Sequence, residues 1–181
     1  AYPATNNGDG TWTLADDTVA PALGEADHEV AVTATDAAGN VGSDATSDEL
    51  TIDLQAPTVT VEEALTQSDP TIADTILFTV LFSEPVVGFA TGDVSLTGTA
   101  GANTDVVTEI APNDGTKYQV AASGMTTDGT VIAALAAAVA TDEAGNLSLA
   151  SGIADNEVTY YDEAPAIVTL VPLMRSTTPR H

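Results

Sequence analysis

Apolar and polar residues alternate along much of this chain with a period of two, which is typical of β-strands. The alternation is clearest in residues 74–83, where Ile76, Phe78, Val80 and Phe82 share one face and predict a central core strand. Clusters of Gly, Pro, Asn and Asp bound most of the runs. Further strands are predicted at 11–14, 28–35, 49–54, 58–62, 86–89, 93–97, 105–110, 117–121, 157–161 and 166–171.

Residues 130–140 favour two opposite interpretations. Their alanine-rich composition has a high helix propensity. They also stand immediately before Thr141 in a motif whose first copy follows a predicted strand, so we predict a strand here too. In that earlier strand, Val30 and Val32 are expected to face a core, together with Ala34. Trp12 is expected to fill or cover the same core.

The motif Thr-Asp-x-Ala-Gly-Asn occurs at 35–40 and again at 141–146, so its aspartates are 106 positions apart. Asp-Gly-Thr recurs after 105 positions and Ala-Pro after 108. A shared period of about 106 residues indicates tandem repetition. We therefore predict a complete unit at 57–163, preceded by the C-terminal half of another unit at 1–56. Residues 164–181 are expected to begin a third unit and to end in a disordered or non-native tail.

About seven or eight short strands without a helix, in a unit of this size, are typical of an immunoglobulin-like β-sandwich. The predicted fold is thus all-β, with one complete and one N-terminally truncated module in tandem. The chain opens at Ala1 without a Met or a signal peptide, and we interpret it as an internal piece or a mature fragment. No apolar run is long enough for a membrane span, so membrane insertion is not expected.

Charge narrows the range of partners. The chain has 27 acidic residues and 3 basic ones, for a net charge of −24, and Lys117 is the only base before Arg175. Most of the carboxylates therefore have no base in the chain to pair with. Binding to nucleic acid or to anionic membranes is disfavoured, while divalent cations are suitable partners. A solvated acidic coat suited to a salty medium is the simpler explanation for most of these residues.

The runs VAVTATDAAGNVGS and AVATDEAGNLS, together with GDGTWTL, IDLQAPTVTV and FSEPVVGFATGDVSLTG, resemble the bacterial Ig-like repeats of large extracellular adhesins. Those adhesins include calcium-dependent, RTX-type and biofilm-associated kinds. The resemblance covers residues 8 to about 171. It implies an exported stalk module on the cell surface or secreted, in contact with neighbouring Ig-like modules and stiffened by calcium at module junctions. It offers no active site, and any glycan or surface ligand would bind through other domains.

Strand directions in a sandwich predict where carboxylates meet. The loop before the last strand and the loop after the core strand should both lie beside the linker at 53–57. Asp53, Glu84 and Asp142 would then converge with the amide or carbonyl of Asn146 on one junction. Hard oxygen ligands of this kind suit Ca²⁺. The same logic predicts two incomplete sites, which consist of Asp36 with Asn40 and of Asp162 with Glu163.

A simpler interpretation applies to the same motif. Asp-x-Ala-Gly-Asn also forms a tight turn, in which the aspartate caps the backbone and Gly or Asn adopts a left-handed conformation. Glu84 would then be a solvated loop residue. The sequence leaves these two interpretations open.

Three functions can be compared at this point. A stalk module stiffened by Ca²⁺ explains both the repeat and the acidic excess. A module that itself binds a glycan or a host protein would need exposed aromatic residues, which make up only 4% of the chain and are dispersed. An enzyme is not expected, because the chain has two His, no Cys and no nucleophile with a neighbouring base.

Overall fold

The computed structural model describes residues 1–16, 18–44, 46–152 and 154–162. The predicted strand at 166–171 and the predicted tail lie outside these residues. The described part is all-β and contains no helix, so it has none that could cross a membrane. All pairings between its thirteen strands are antiparallel. The all-β prediction is confirmed.

Seven strands of residues 59–160 form two sheets. The strands are β7 (Val59–Glu63), β8 (Thr75–Phe82), β9 (Val94–Thr97), β10 (Thr104–Glu109), β11 (Lys117–Ser123), β12 (Gly129–Leu135) and β13 (Glu157–Tyr160). The four-stranded sheet has the order β10-β11-β8-β7, and the three-stranded sheet has the order β13-β12-β9. Both sheets contribute to one apolar core, an arrangement consistent with a β-sandwich. The immunoglobulin-like topology and the tandem modules stay predictions.

The predicted core strand occupies the centre of the larger sheet. Ile76, Phe78 and Val80 are completely buried in β8, and Phe82 is nearly so. The alternation arises because successive side chains of a strand point to opposite faces, and only one face meets the other sheet. Burying a side chain such as Phe78 contributes about 1.5–3 kcal/mol.

The stretch with two interpretations is a strand. β12 covers Gly129–Leu135 and pairs with β9 and β13, with Val131 and Leu135 buried. Tertiary packing thus overrides the helix propensity of its alanines, because pairing with two strands and burial of one face stabilise the extended form. The strand ends before Ala136, so the predicted extension to residue 140 is wrong.

The predicted short strand at 86–89 is also absent as a strand. Val87 instead forms one isolated antiparallel bridge with Thr141. The nearby residues Val86 and Phe89 are both buried. Gly88 between them has φ 92°, a conformation that interrupts an extended strand.

Residues 1–56 form three separate two-stranded ribbons. Their strands are β1 (Thr5–Asn6), β2 (Trp12–Thr13), β3 (Ala26–His28), β4 (Thr33–Thr35), β5 (Val41–Ser43) and β6 (Leu50–Ile52). β1 pairs with β2, β3 with β6, and β4 with β5. Their pairing matches that of the later residues, since Thr35 lies opposite Val41 just as Thr141 lies opposite Leu147.

The expectation of a core in this first part is wrong. Val30 is 44% exposed, Val32 55% and Trp12 59%, and Ala34 is exposed as well. The predicted continuous strand at 28–35 is divided between β3 and β4. The physical reason is that no second sheet covers these ribbons among the described residues, whereas β8 and its neighbours cover β12 and β13. Without a facing sheet, alternation in sequence has no core to point to.

Candidate metal centre

The loop after β8 lies at the same end of the sandwich as the linker that precedes β7. β7 begins just after the linker and β8 returns antiparallel to it, so Ser83 and Glu84 lie beside the start of β7. Two hydrogen bonds hold this return: Ser83 N donates to Thr58 O at 2.9 Å, and Thr58 N donates to Ser83 Oγ at 3.0 Å. Glu84 is therefore held at the linker end of the sandwich.

An aromatic cluster anchors the segment that carries Glu84. Phe82, Phe89 and Tyr118 contact one another edge to face, with ring centroids 5.1–6.0 Å apart. Such contacts favour a fixed relative orientation of the rings. Because Phe82 and Phe89 flank Glu84 in sequence and are both buried, the loop between them has little freedom to move the carboxylate away.

The Asp142 turn is held by its own hydrogen bonds. Asp142 Oδ1 accepts from the backbone N of Asn146 at 2.8 Å, and Asp142 Oδ2 accepts from Asn146 Nδ2 at 2.9 Å. Asp142 N and Asn146 O close the loop at 3.2 Å. Gly145 has φ 92°, a left-handed conformation that glycine adopts without strain. The turn interpretation is therefore correct for the local structure.

The same turn also reaches the linker. Asn146 Nδ2 donates to the backbone O of Asp53 at 3.2 Å, across 93 positions of sequence. Asp53 in turn accepts a hydrogen bond from Gln55 N at 2.9 Å through Oδ1. The side-chain NH2 group of Asn146 thus donates hydrogen bonds to both Asp142 and the linker, and these bonds hold the two in position.

Three carboxylates meet at this place. One oxygen from each of Asp53, Glu84 and Asp142 lies within 4.8 Å of the others. Asp142 is only 5% exposed, whereas Asp53 and Glu84 are half-buried. Oxygen ligands at 2.3–2.6 Å from Ca²⁺ can be up to about 5 Å apart. One Ca²⁺ could therefore contact all three carboxylates.

The electrostatics of the three groups differ. Burial raises the pKa of Glu84, and the nearby carboxylates of Asp53, Asp142 and Glu25 raise it further. Burial also acts to raise the pKa of Asp142, but its hydrogen bonds from Asn146 and the turn backbone outweigh this and hold the pKa below its usual value. Asp142 thus stays ionised, and the mutual repulsion acts chiefly on Glu84. A cation would relieve it.

The first copy of the motif has the same turn in a different setting. Asp36 accepts from Asn40 N at 2.8 Å and from Asn40 Nδ2 at 2.7 Å. The side-chain hydrogen bond from Asn40 is the main reason why the pKa of Asp36 is lowered. Asp36 is exposed, and within the described residues it belongs to no group of three converging acidic side chains. The turn is therefore independent of the site.

The third predicted location is only partly within the described residues. Asp162 is exposed, and its backbone N donates to Asp128 Oδ1 at 2.7 Å. Glu163 lies outside the described residues. The part of the chain that is described places no group of three acidic ligands at Asp162.

Two acidic residues near the site were not predicted from the sequence. Glu25 and Asp27 line an open groove of about 380 Å³ together with Asp53 and Glu84. They lie there because β3 pairs with β6, and the side chains of Asp27 and Thr51 are joined by a hydrogen bond of 2.7 Å. No signal in the sequence located them, because their position depends on the pairing of β3 with β6.

Comparison with known proteins adds little to these observations. No family model matches the chain, and no curated protein matches it. One solved structure, the crystal structure of the N-terminal part of the bacterial S-layer protein SbsC, is similar over 62% of this chain at 21% identity, with a TM-score of 0.38. The matched region is 25% of that protein chain. A likeness of this size supports no conclusion about fold or activity.

Proposed function

We propose that this chain is a structural extender, a stalk segment of a bacterial extracellular adhesin whose units are joined stiffly by Ca²⁺. The convergence of Asp53, Glu84 and Asp142 is the observation that carries the proposal. These residues come from the linker, the loop after β8 and the loop after β12. An ion bound to all three would therefore tie the linker to the body of the following unit.

The sheet arrangement supports the same role. Residues 59–160 bury one core between two antiparallel sheets, and the linker enters at one end while β13 ends towards the other. A unit whose chain enters and leaves at opposite ends extends an array without folding back on itself. The proposed division into immunoglobulin-like modules at 1–56, 57–163 and 164–181 rests on the sequence period, and the arrangement of residues 59–160 is compatible with it. Neighbouring modules are then the expected partners.

The charge of the chain supports a site outside the cell. The chain has a net charge of −24, and Lys117 is the only base before residue 175, so most of its carboxylates have no lysine or arginine to pair with. Free Ca²⁺ outside cells reaches the 10⁻⁴–10⁻³ M range in which extracellular modules typically bind it. We propose a location on the cell surface or in the surrounding medium, and a role that involves no catalysis.

Small-angle X-ray scattering of the full chain, with Ca²⁺ and with a chelator, tests this function. Calcium is expected to narrow the distribution of distances between the two parts of the chain and to give a longer, stiffer particle. The variant Glu84→Gln should give the chelator profile under both conditions. Identical profiles of the unmodified protein with and without Ca²⁺ would refute the stiffening role.

A second function has one observation in its favour. Trp12 is 59% exposed, and an exposed indole is a common platform for a sugar ring. A module that binds a glycan would lose affinity in Trp12→Ala, which glycan-array binding can measure. We favour the stalk function, because Trp12 lies on a ribbon without a facing sheet, and the missing sheet accounts for its exposure.

A further inference from the structure

Glu63 is a half-buried acid that the calcium site does not use. It is the last residue of β7 and pairs with Phe78 of β8, so it belongs to the larger sheet. Its backbone N donates to Asp155 O at 2.5 Å, just before β13 of the smaller sheet. Glu63 therefore lies at the seam where the edge of one sheet meets the other, at the end of β7 farther from the linker.

One oxygen of the Glu63 carboxyl group, Oε2, is buried without a hydrogen-bond partner within the described residues. A buried charged oxygen without a donor is costly, while a neutral carboxyl in the same place is much less so and gains an O–H donor. The environment therefore favours the protonated form.

Two further acids act in the same direction. Asp155 precedes β13, and Asp69 lies in the loop between β7 and β8, where its Oδ1 accepts from Thr159 N of β13 at 2.9 Å. Burial raises the pKa of Glu63, and the charges of Asp155 and Asp69 raise it further. These are the titratable groups that act on Glu63 from the elements packed against it, and both are carboxylates.

We propose that Glu63 is a proton-dependent contact, which takes up a proton from mildly acidic solvent and thereby strengthens the seam between the two sheets. When the proton leaves, a bare carboxylate remains beside two others and weakens the same seam. Stability from this contact is fully present below the unfolded-state pKa of Glu, and it is lost as the pH rises through the higher folded-state pKa. The unit then becomes firmer as its surroundings become acidic.

Thermal melting in a chelator tests this contact with two matched variants. Glu63→Gln mimics the neutral side chain, while Glu62→Gln removes one charge from the exposed neighbouring position. At pH 7.5, Glu63→Gln should melt about 4 °C above Glu62→Gln, the shift expected from removing one unsatisfied buried group. The difference should shrink as the pH falls, because Glu63, which is still present in Glu62→Gln, then binds a proton. A difference that is absent at pH 7.5, or that does not change with pH, would overturn the proposal.

NMR titration of the Glu63 carboxyl carbon in the unmodified protein gives an independent answer, even if a variant fails to fold. A midpoint above the usual 4.5 is expected, and a midpoint at or below it contradicts the proposal.

The effect of Ca²⁺ on the two variants distinguishes a proton from a cation at Glu63. If Ca²⁺ raises the melting temperature of Glu63→Gln by less than that of Glu62→Gln, the group holds a cation instead of a proton, and the proposal is wrong.

Discussion

Glu84→Gln should be more stable than the unmodified protein in chelator and less stable than the unmodified protein in Ca²⁺. The substitution keeps the size of the side chain and removes one of three carboxylates that lie within 4.8 Å of one another. Unlike Asp142, Glu84 is not the capping residue of a turn, so the change removes charge with little effect on backbone structure. It therefore separates the metal interpretation from the turn interpretation.

The size of the effect follows from the geometry. Glu84 and Asp53 are both half-buried, and two charges within 4.8 Å of each other repel in water by at least about 0.9 kcal/mol. Relief of this repulsion should raise the melting temperature of Glu84→Gln by about 3 °C in chelator. In 10 mM Ca²⁺, a site with a Kd of about 10⁻⁴–10⁻³ M stabilises the unmodified protein by about 1.4–2.7 kcal/mol. The variant should lose most of that gain.

Thermal melting of both proteins in chelator and in Ca²⁺ is the assay. Glu143→Gln is the matched control, because Glu143 is an exposed acid beside Asp142 that is not one of the three converging residues. This control should keep the calcium gain of the unmodified protein. If Glu84→Gln and Glu143→Gln shift alike in both conditions, the three carboxylates bind no ion and the reasoning is refuted.

Three further outcomes are expected. Phe78→Ala should destabilise the protein by about 3–5 kcal/mol in urea unfolding, whereas Val32→Ala should stay within about 0.5 kcal/mol, because only Phe78 is buried; equal losses would contradict the fold. Asp142→Ala should lower the melting temperature in chelator at least twice as much as Asp36→Ala, since both turns have the same hydrogen bonds but only Asp142 is buried. Stability in chelator should be highest between about pH 4 and 5. The raised pKa of Glu84 contributes stability below its usual 4.5 that is lost as the pH rises, while the lowered pKa of Asp142 contributes stability above its usual 3.8 that is lost as the pH falls; a maximum above pH 7 would contradict these signs.

The sequence predicts the elements best where alternation coincides with packing. The face of β8 that contains Phe78 was correctly predicted as buried, because a sheet covers it. The same reasoning fails at Val32, whose alternation is equally regular but whose ribbon has no facing sheet. Alternation in the sequence identifies the apolar face of a strand. Whether another sheet covers that face depends on the tertiary packing.

Only part of the candidate site could likewise be predicted from the sequence. Asp53, Glu84 and Asp142 could be brought together from strand order alone, because antiparallel strands return a chain to the end where it started. The donor role of Asn146 and the nearby position of Glu25 could not be predicted, since each depends on a side-chain orientation or on the pairing of β3 with β6. The buried oxygen of Glu63 could not be predicted either, because the sequence alone does not distinguish Glu63 from its exposed neighbour Glu62.

The stoichiometry of calcium binding tests the central claim most directly. Calorimetric titration of the full chain at low ionic strength should show one Ca²⁺ per chain, lost in Glu84→Gln and kept in Asp36→Asn. One ion is expected because both copies of the motif form the same turn, while among the described residues only the copy with Asp142 meets two further carboxylates. Two equivalent ions would show that the turn itself binds calcium, and the absence of binding would show that the three carboxylates are only neighbours; either result contradicts the account.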